Sequence, residues 1–124
     1  GRPRRCGWLD TVLLRYSVMV NGVTDLAVTI LDGLDERESL KICVGYEIDG
    51  HIHEYPPADR AAWNRAKPVY QELPGWQSDT SACRSYAELP ENARVYLDRI
   101  AELVEAPVSF VGNGPGREQT LVVE

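Results

Sequence analysis

Leu26-Ala27-Val28-Thr29-Ile30-Leu31, closed by Asp32-Gly33, is the stretch on which the fold turns. A short, nearly unbroken apolar run with β-branched residues predicts a strand covered on both faces, as in a parallel sheet. Upstream, Leu9, Val12, Leu13, Tyr16 and Val20 recur at helical spacing, so a helix is expected from Gly7 or Trp8 to the stop at Asn21-Gly22. Downstream, Leu40, Ile42, Val44 and Tyr46 alternate and predict a half-covered strand with these four on one side. Asp49-Gly50 between Tyr46–Ile48 and His51–His53 is a hairpin signal.

Further along, Pro56-Pro57 breaks the strand, and a short helix is expected over Ala58–Ala66. Pro68–Leu73 reads as an edge strand, because proline cannot donate to a ladder. Pro74-Gly75-Trp76 turns the chain into a polar loop from Gln77 to Ser85. A second long helix follows, with Pro90 in its first turn and an apolar stripe of Ala93, Tyr96, Leu97, Ile100, Leu103 and Val104. Pro107 ends it. Strands are then expected at Val108–Val111 and Thr120–Val123, around a loop at Gly112-Asn113-Gly114-Pro115-Gly116. Helices alternating with apolar strands make the class α/β. With no repeat or low-complexity segment, residues 1–124 read as one domain.

The bulk properties exclude several functions. A formal net charge of −6 argues against general nucleic-acid binding, which needs a basic surface. No apolar run approaches the roughly 20 residues of a membrane span, and no signal peptide is visible. Cys6, Cys43 and Cys83 are odd in number and lack C-x-x-C spacing, so they read as reduced thiols of a cytosolic protein. Cys43 is expected to be a small buried apolar residue, and Trp8, Trp63 and Trp76 to pack in the core or at its rim.

Three segments carry chemistry. Gly1-Arg2-Pro3-Arg4-Arg5 concentrates guanidinium forks, which bind carboxylate or phosphate with paired hydrogen bonds. In an extended loop Arg2 and Arg4 share one side and Arg5 takes the other; a solvated basic tail has the same sequence. Asp32 follows a buried strand, where open α/β sheets place ligands. One carboxylate there accepts from both the ring N–H and the exocyclic amine of guanine, a donor pair adenine does not present; an aspartate that only caps the turn into Gly33 reads identically. Asn113-Gly114-Pro115-Gly116 leaves backbone uncovered beside a strand end, which suits a flat base and equally suits a plain turn. His51 and His53 share one side of their strand but lack an evident third metal ligand.

Taken in order, these segments resemble one family along nearly the whole chain. Gly1–Asp10 resembles the arginine loop and following helix of the adenylosuccinate synthetases, and Thr29-Ile-Leu-Asp32 their guanine-recognition segment. Lys41–Tyr46, Pro68–Tyr70 with Leu73–Trp76, Leu89–Ala93 and Asn113–Arg117 continue the match. The resemblance implies the C-terminal portion of a P-loop-NTPase-like mixed sheet with flanking helices. It also implies a magnesium-dependent ligase in which GTP phosphorylates the 6-oxygen of IMP and L-aspartate displaces phosphate to give adenylosuccinate. Arg2 and Arg4 match residues that hold aspartate beside the IMP ribose, with Arg4 also beside the GTP phosphates. Asp32 matches the reader of guanine, and Asn113, Gly114 and Pro115 match the loop packed on it. A homodimer is implied for the parent.

Two departures stand out, Ile30 where the family has lysine and Gly116 where it has aspartate. The family's glycine-rich phosphate loop, catalytic aspartate and general-acid histidine have no counterpart here, so no catalytic or metal-binding residue is assigned and no cofactor is expected on this chain alone. The start at Gly1, without methionine and crowded with arginine, reads as an excised C-terminal fragment lacking ligase activity. The alternative is a stand-alone, non-catalytic nucleotide-binding or interaction module.

Overall fold

A computed structural model describes all 124 residues. In chain order the elements are β1 (Leu9–Asp10), α1 (Thr11–Asn21), β2 (Leu26–Val28), a 3-10 turn (Leu31–Leu34), β3 (Ser39–Ile48), β4 (His51–His53), α2 (Arg60–Arg65), β5 (Lys67–Pro74), α3 (Glu91–Val104), β6 (Val108–Gly112) and β7 (Thr120–Val122). The architecture is α/β, with two mixed sheets and flanking helices, as the sequence predicts.

β3 is the spine of the larger sheet. β5 runs antiparallel along it, while β1 pairs in parallel at Ile42 and Cys43 and β4 antiparallel from Tyr46 to Ile48. The Asp49-Gly50 hairpin is as expected: both residues have positive φ, 52° and 82°, which matches the right-handed twist of the flanking strands. β5 pairs only with β3, in agreement with its reading as an edge strand. In the smaller sheet β2 and β6 are parallel and β7 returns antiparallel to β6.

The main core gathers Leu31, Leu40, Ile42, Trp76, Leu89, Val111 and Leu121 against α3 residues Ala93, Tyr96, Leu97, Ile100 and Val104. Five of the six stripe positions expected on α3 are buried, and Leu103 is partly so. A second, smaller core holds Val12, Cys43, Tyr46, Ile48 and Ala62, with Trp63 edge-on to Tyr46 at 5.2 Å.

Four expectations require correction. α1 starts at Thr11, because Leu9–Asp10 is taken into a strand and the Asp10 carboxylate caps the helix by accepting from Leu13 N–H at 3.0 Å. Its buried residues are Thr11, Val12 and Val18, whereas Leu13, Tyr16 and Val20 are exposed. The helix is apolar nearly all round, so spacing alone does not select the face that meets the core. β2 stops at Val28 and its residues are half-buried or exposed, since it lies at a sheet edge and Ile30 turns into the left-handed region at φ 61°. On β3, Leu40 and Ile42 face the main core but Tyr46 joins the second one. A register shift between Cys43 and Gly45 explains this: a bulge inserts one residue and reverses the alternation beyond it.

Candidate functional site

The carboxyl ends of parallel β2 and β6 lie side by side, and the segments of Asp32 and of Asn113–Gly116 follow from them. Val28 pairs with Val111, and a Cβ on Gly112 would meet Thr29 Cα at 3.4 Å. From these two ends the chain runs into the 3-10 turn carrying Asp32 and into the loop of Asn113, Gly114, Pro115 and Gly116. This is where an open α/β sheet puts a ligand.

A polar cleft of about 1080 Å³ lies here, with Asp32, Asp35, Glu36, Arg37, Asp79 and Ser81 among its walls. Asp32 is half-buried. Ile30, 72 % exposed, instead borders a separate apolar groove of about 310 Å³ with Leu9, Leu14, Ala27, Tyr96 and Ile100. The left-handed turn at Ile30 thus divides an apolar surface from a polar one.

The loop from Gln77 to Ser85 closes the cleft and is held from both sides. On one side, Trp76 Nε1 donates to Asp35 at 2.7 Å, and Thr80 donates to the same carboxylate through its N–H at 2.7 Å and its hydroxyl at 2.9 Å. On the other, Asn113 Nδ2 donates to the carbonyls of Thr80 and, at 3.1 Å, Cys83, while Gln119 Nε2 donates to Ser81 carbonyl at 3.0 Å. Within the loop, the Ser81 hydroxyl and amide hold the Asp79 carboxyl below the usual carboxylate range. Burial, reinforced by Glu88, pushes the Cys83 thiol up and keeps it protonated.

Each candidate residue has a definite place. Asn113 is fully buried with its amide directed to protein carbonyls, whereas Gly114 is half-exposed and Pro115 exposed. Gly116 N–H donates to Gln119 Oε1 at 2.8 Å, so this loop is self-braced. Arg2, Arg4 and Arg5 are exposed in irregular chain and belong to none of the four ion pairs, which use Arg15 twice, Arg65 and Arg99. Trp8, three residues beyond Arg5, lies under Arg37 of the cleft wall at 5.8 Å.

His51 and His53 are exposed on β4, and no group of three or more His, Cys, Asp or Glu side chains could hold a metal ion. Asp35 and Asp10 escaped the sequence reading. Trp76 carried a usable signal, since a buried indole N–H requires an acceptor.

Comparison with known proteins identifies the family. The family model described as adenylosuccinate synthetase matches residues 1–121. Adenylosuccinate synthetase of Fusobacterium nucleatum is 50% identical over 121 residues, covering 98% of this chain and 28% of that protein. The Mycobacterium tuberculosis (strain H37Rv) protein of the same name is 53% identical over 122 residues, again 28% of its length. A solved structure of fully ligated adenylosuccinate synthetase from Plasmodium falciparum superposes with a TM-score of 0.93 at 34% identity, over 99% of this chain and 30% of that one. The chain thus spans little more than a quarter of the curated relatives it matches, and it belongs to the adenylosuccinate synthetase family.

Proposed function

We propose that residues 1–124 are the C-terminal domain of a synthetase that joins L-aspartate to IMP at the expense of GTP, giving adenylosuccinate, GDP and phosphate in AMP biosynthesis. The observation that carries this reading is that the segments bearing Asp32 and Gly114-Pro115 leave the adjacent carboxyl ends of β2 and β6, within a chain whose family match runs over residues 1–121. In it, Asp32 accepts from guanine N–H groups and Gly114 and Pro115 pack on the base. Asn113 contributes by fixing that loop, because its side chain is buried. Arg2 and Arg4, exposed and without ion pairs, are available for the dicarboxylate of aspartate and the neighbouring ribose, and Arg4 for the GTP phosphates.

Two features support a larger assembly. α1 exposes Leu13, Tyr16, Met19 and Val20 in one apolar face, and the apolar groove beside β2 is open. Both suit packing against the rest of a longer synthetase. That part would also hold magnesium, which assists charge development on the transferred phosphoryl group; the residues here offer no cluster for it. A cytoplasmic homodimer fits the family, and no helix is long and apolar enough to cross a membrane.

The deciding experiment is the intact mass of the native protein, with peptides mapped upstream of Gly1. A chain several times heavier that makes adenylosuccinate, while residues 1–124 alone make none, is the expected result. A native species of 124 residues would overturn it in favour of a non-catalytic nucleotide-binding module.

A further inference from the structure

We propose that Asp35 is a positioning residue for base recognition, tying the backbone of Asp32 to the loop of Gly114 and Pro115 through one continuous chain of hydrogen bonds. The inference rests on the reading of Asp32 given above and assigns no ligand contact to Asp35 itself. Asp35 N–H donates to the Asp32 carbonyl at 3.2 Å, closing the turn on which Asp32 is mounted. Its carboxylate then takes three donors from a segment more than 40 residues away: Trp76 Nε1, Thr80 N–H and Thr80 hydroxyl. Thr80 is fully buried, and its carbonyl accepts from Asn113 Nδ2. Asn113 N–H in turn donates to Gln119 carbonyl at 2.9 Å, which sets the loop between them.

The chemistry requires a carboxylate at this position. Three donors converge on two oxygens, and an ionised carboxyl has only acceptor sites to offer. Asparagine would turn an NH₂ towards one of the Thr80 donors and leave a buried donor unpaired. Because the turn of Asp32 and, through Thr80 and Asn113, the Gly114-Pro115 loop are joined at this node, its loss should displace Asp32 relative to Gly114 and Pro115 without touching the arginine segment. Misplacement by about an ångström is enough to weaken a preorganised site.

The test is steady-state kinetics on the whole synthetase polypeptide carrying these residues, with Asp35→Asn, Thr80→Val and Asp32→Ala measured side by side. For Asp35→Asn the expected result is a KM for GTP raised roughly tenfold, with KM for IMP and aspartate within about twofold of wild type and kcat little changed. Thr80→Val removes one bond of the node and should move the same constant by a smaller factor; it decides the matter if Asp35→Asn does not fold. Equal shifts in all three KM values, or none, would show that Asp35 is only a structural residue and overturn the proposal. If Asp32→Ala alters GTP use while the other two variants do not, this inference alone fails. If Asp32→Ala has no effect either, the base-recognition reading fails with it.

Discussion

The hydroxyl of Tyr46 donates to the carboxylate of Asp10, the same carboxylate whose other oxygen caps α1. One aspartate therefore joins the start of α1, a few residues after the arginine segment, to the carboxyl-terminal part of β3. Burial first, and the Asp10 hydrogen bond second, push the Tyr46 hydroxyl above the ordinary tyrosine value.

The sign of the resulting pH dependence follows from that direction. A group whose pKa is raised on folding contributes stability that is whole below its unfolded value, about 10 for tyrosine, and is lost as pH rises towards the folded one. Urea unfolding at pH 9 and pH 11 should show wild type losing stability over this interval. Tyr46→Phe should be weaker by about 1–2 kcal/mol at pH 9 and less sensitive to alkali. Some sensitivity will persist, since burial raises Tyr86 and Tyr96 as well.

Ile30 carries a β-branched side chain at φ 61°. That region costs an L-residue roughly 1–2 kcal/mol, and asparagine visits it with less penalty. Ile30→Asn should raise the free energy of unfolding by about 1 kcal/mol, read from the urea midpoint. A neutral or lower midpoint would mean that packing of Ile30 in its groove outweighs the strain.

Gly75 is required by proximity. A Cβ there would lie 1.8 Å from the Arg37 carbonyl oxygen, in backbone already joined by Gly75 N–H to Glu38 carbonyl at 2.9 Å. Gly75→Ala should cost about 3 kcal/mol or prevent folding, as overpacking against backbone has no flexible neighbour to yield. Thermal unfolding of the variant checks this.

Asp32→Asn retains shape while removing the charge and one acceptor site. Charge-assisted hydrogen bonds contribute about 1.5–3 kcal/mol each, so a loss of at least about tenfold in kcat/KM for GTP is expected in the whole synthetase. The ratio of GTP to ITP use should fall in parallel, because ITP lacks the exocyclic amine. An unchanged ratio would remove Asp32 from base recognition.

Legibility in the sequence varied with the contrast each segment offered. α3 was readable because a charged face opposes its stripe and Pro90 marks its start. α1 was not: Val-Leu-Leu and Val-Met-Val surround a single charge at Arg15, so several faces qualify as the core side. β2 is shorter than its apolar run predicts, because such a run carries no sign that Ile30 takes a left-handed conformation. Asp32 and the Gly114-Pro115 loop were visible as strand-end residues of distinctive chemistry. Asp35 is not marked by anything local, since the donors to its carboxylate lie 41 or more residues away. Asp10 sits at a helix start that its own type signals, but its tie to Tyr46, 36 residues on, is not visible in the sequence.

The bulge in β3 lets one continuous strand present Leu40 and Ile42 to one core and Cys43, Tyr46 and Ile48 to another. The strand thus behaves like a text with a reading frame. Substitutions at its surface positions alter single letters, whereas inserting one residue beside Val44 would shift the frame. Glu47 would then turn inward, and the tyrosine that anchors Asp10 would point to solvent. Added length at this point is a more stringent constraint than identity, and drift in this region should proceed by exchange of residues, not by gain of them.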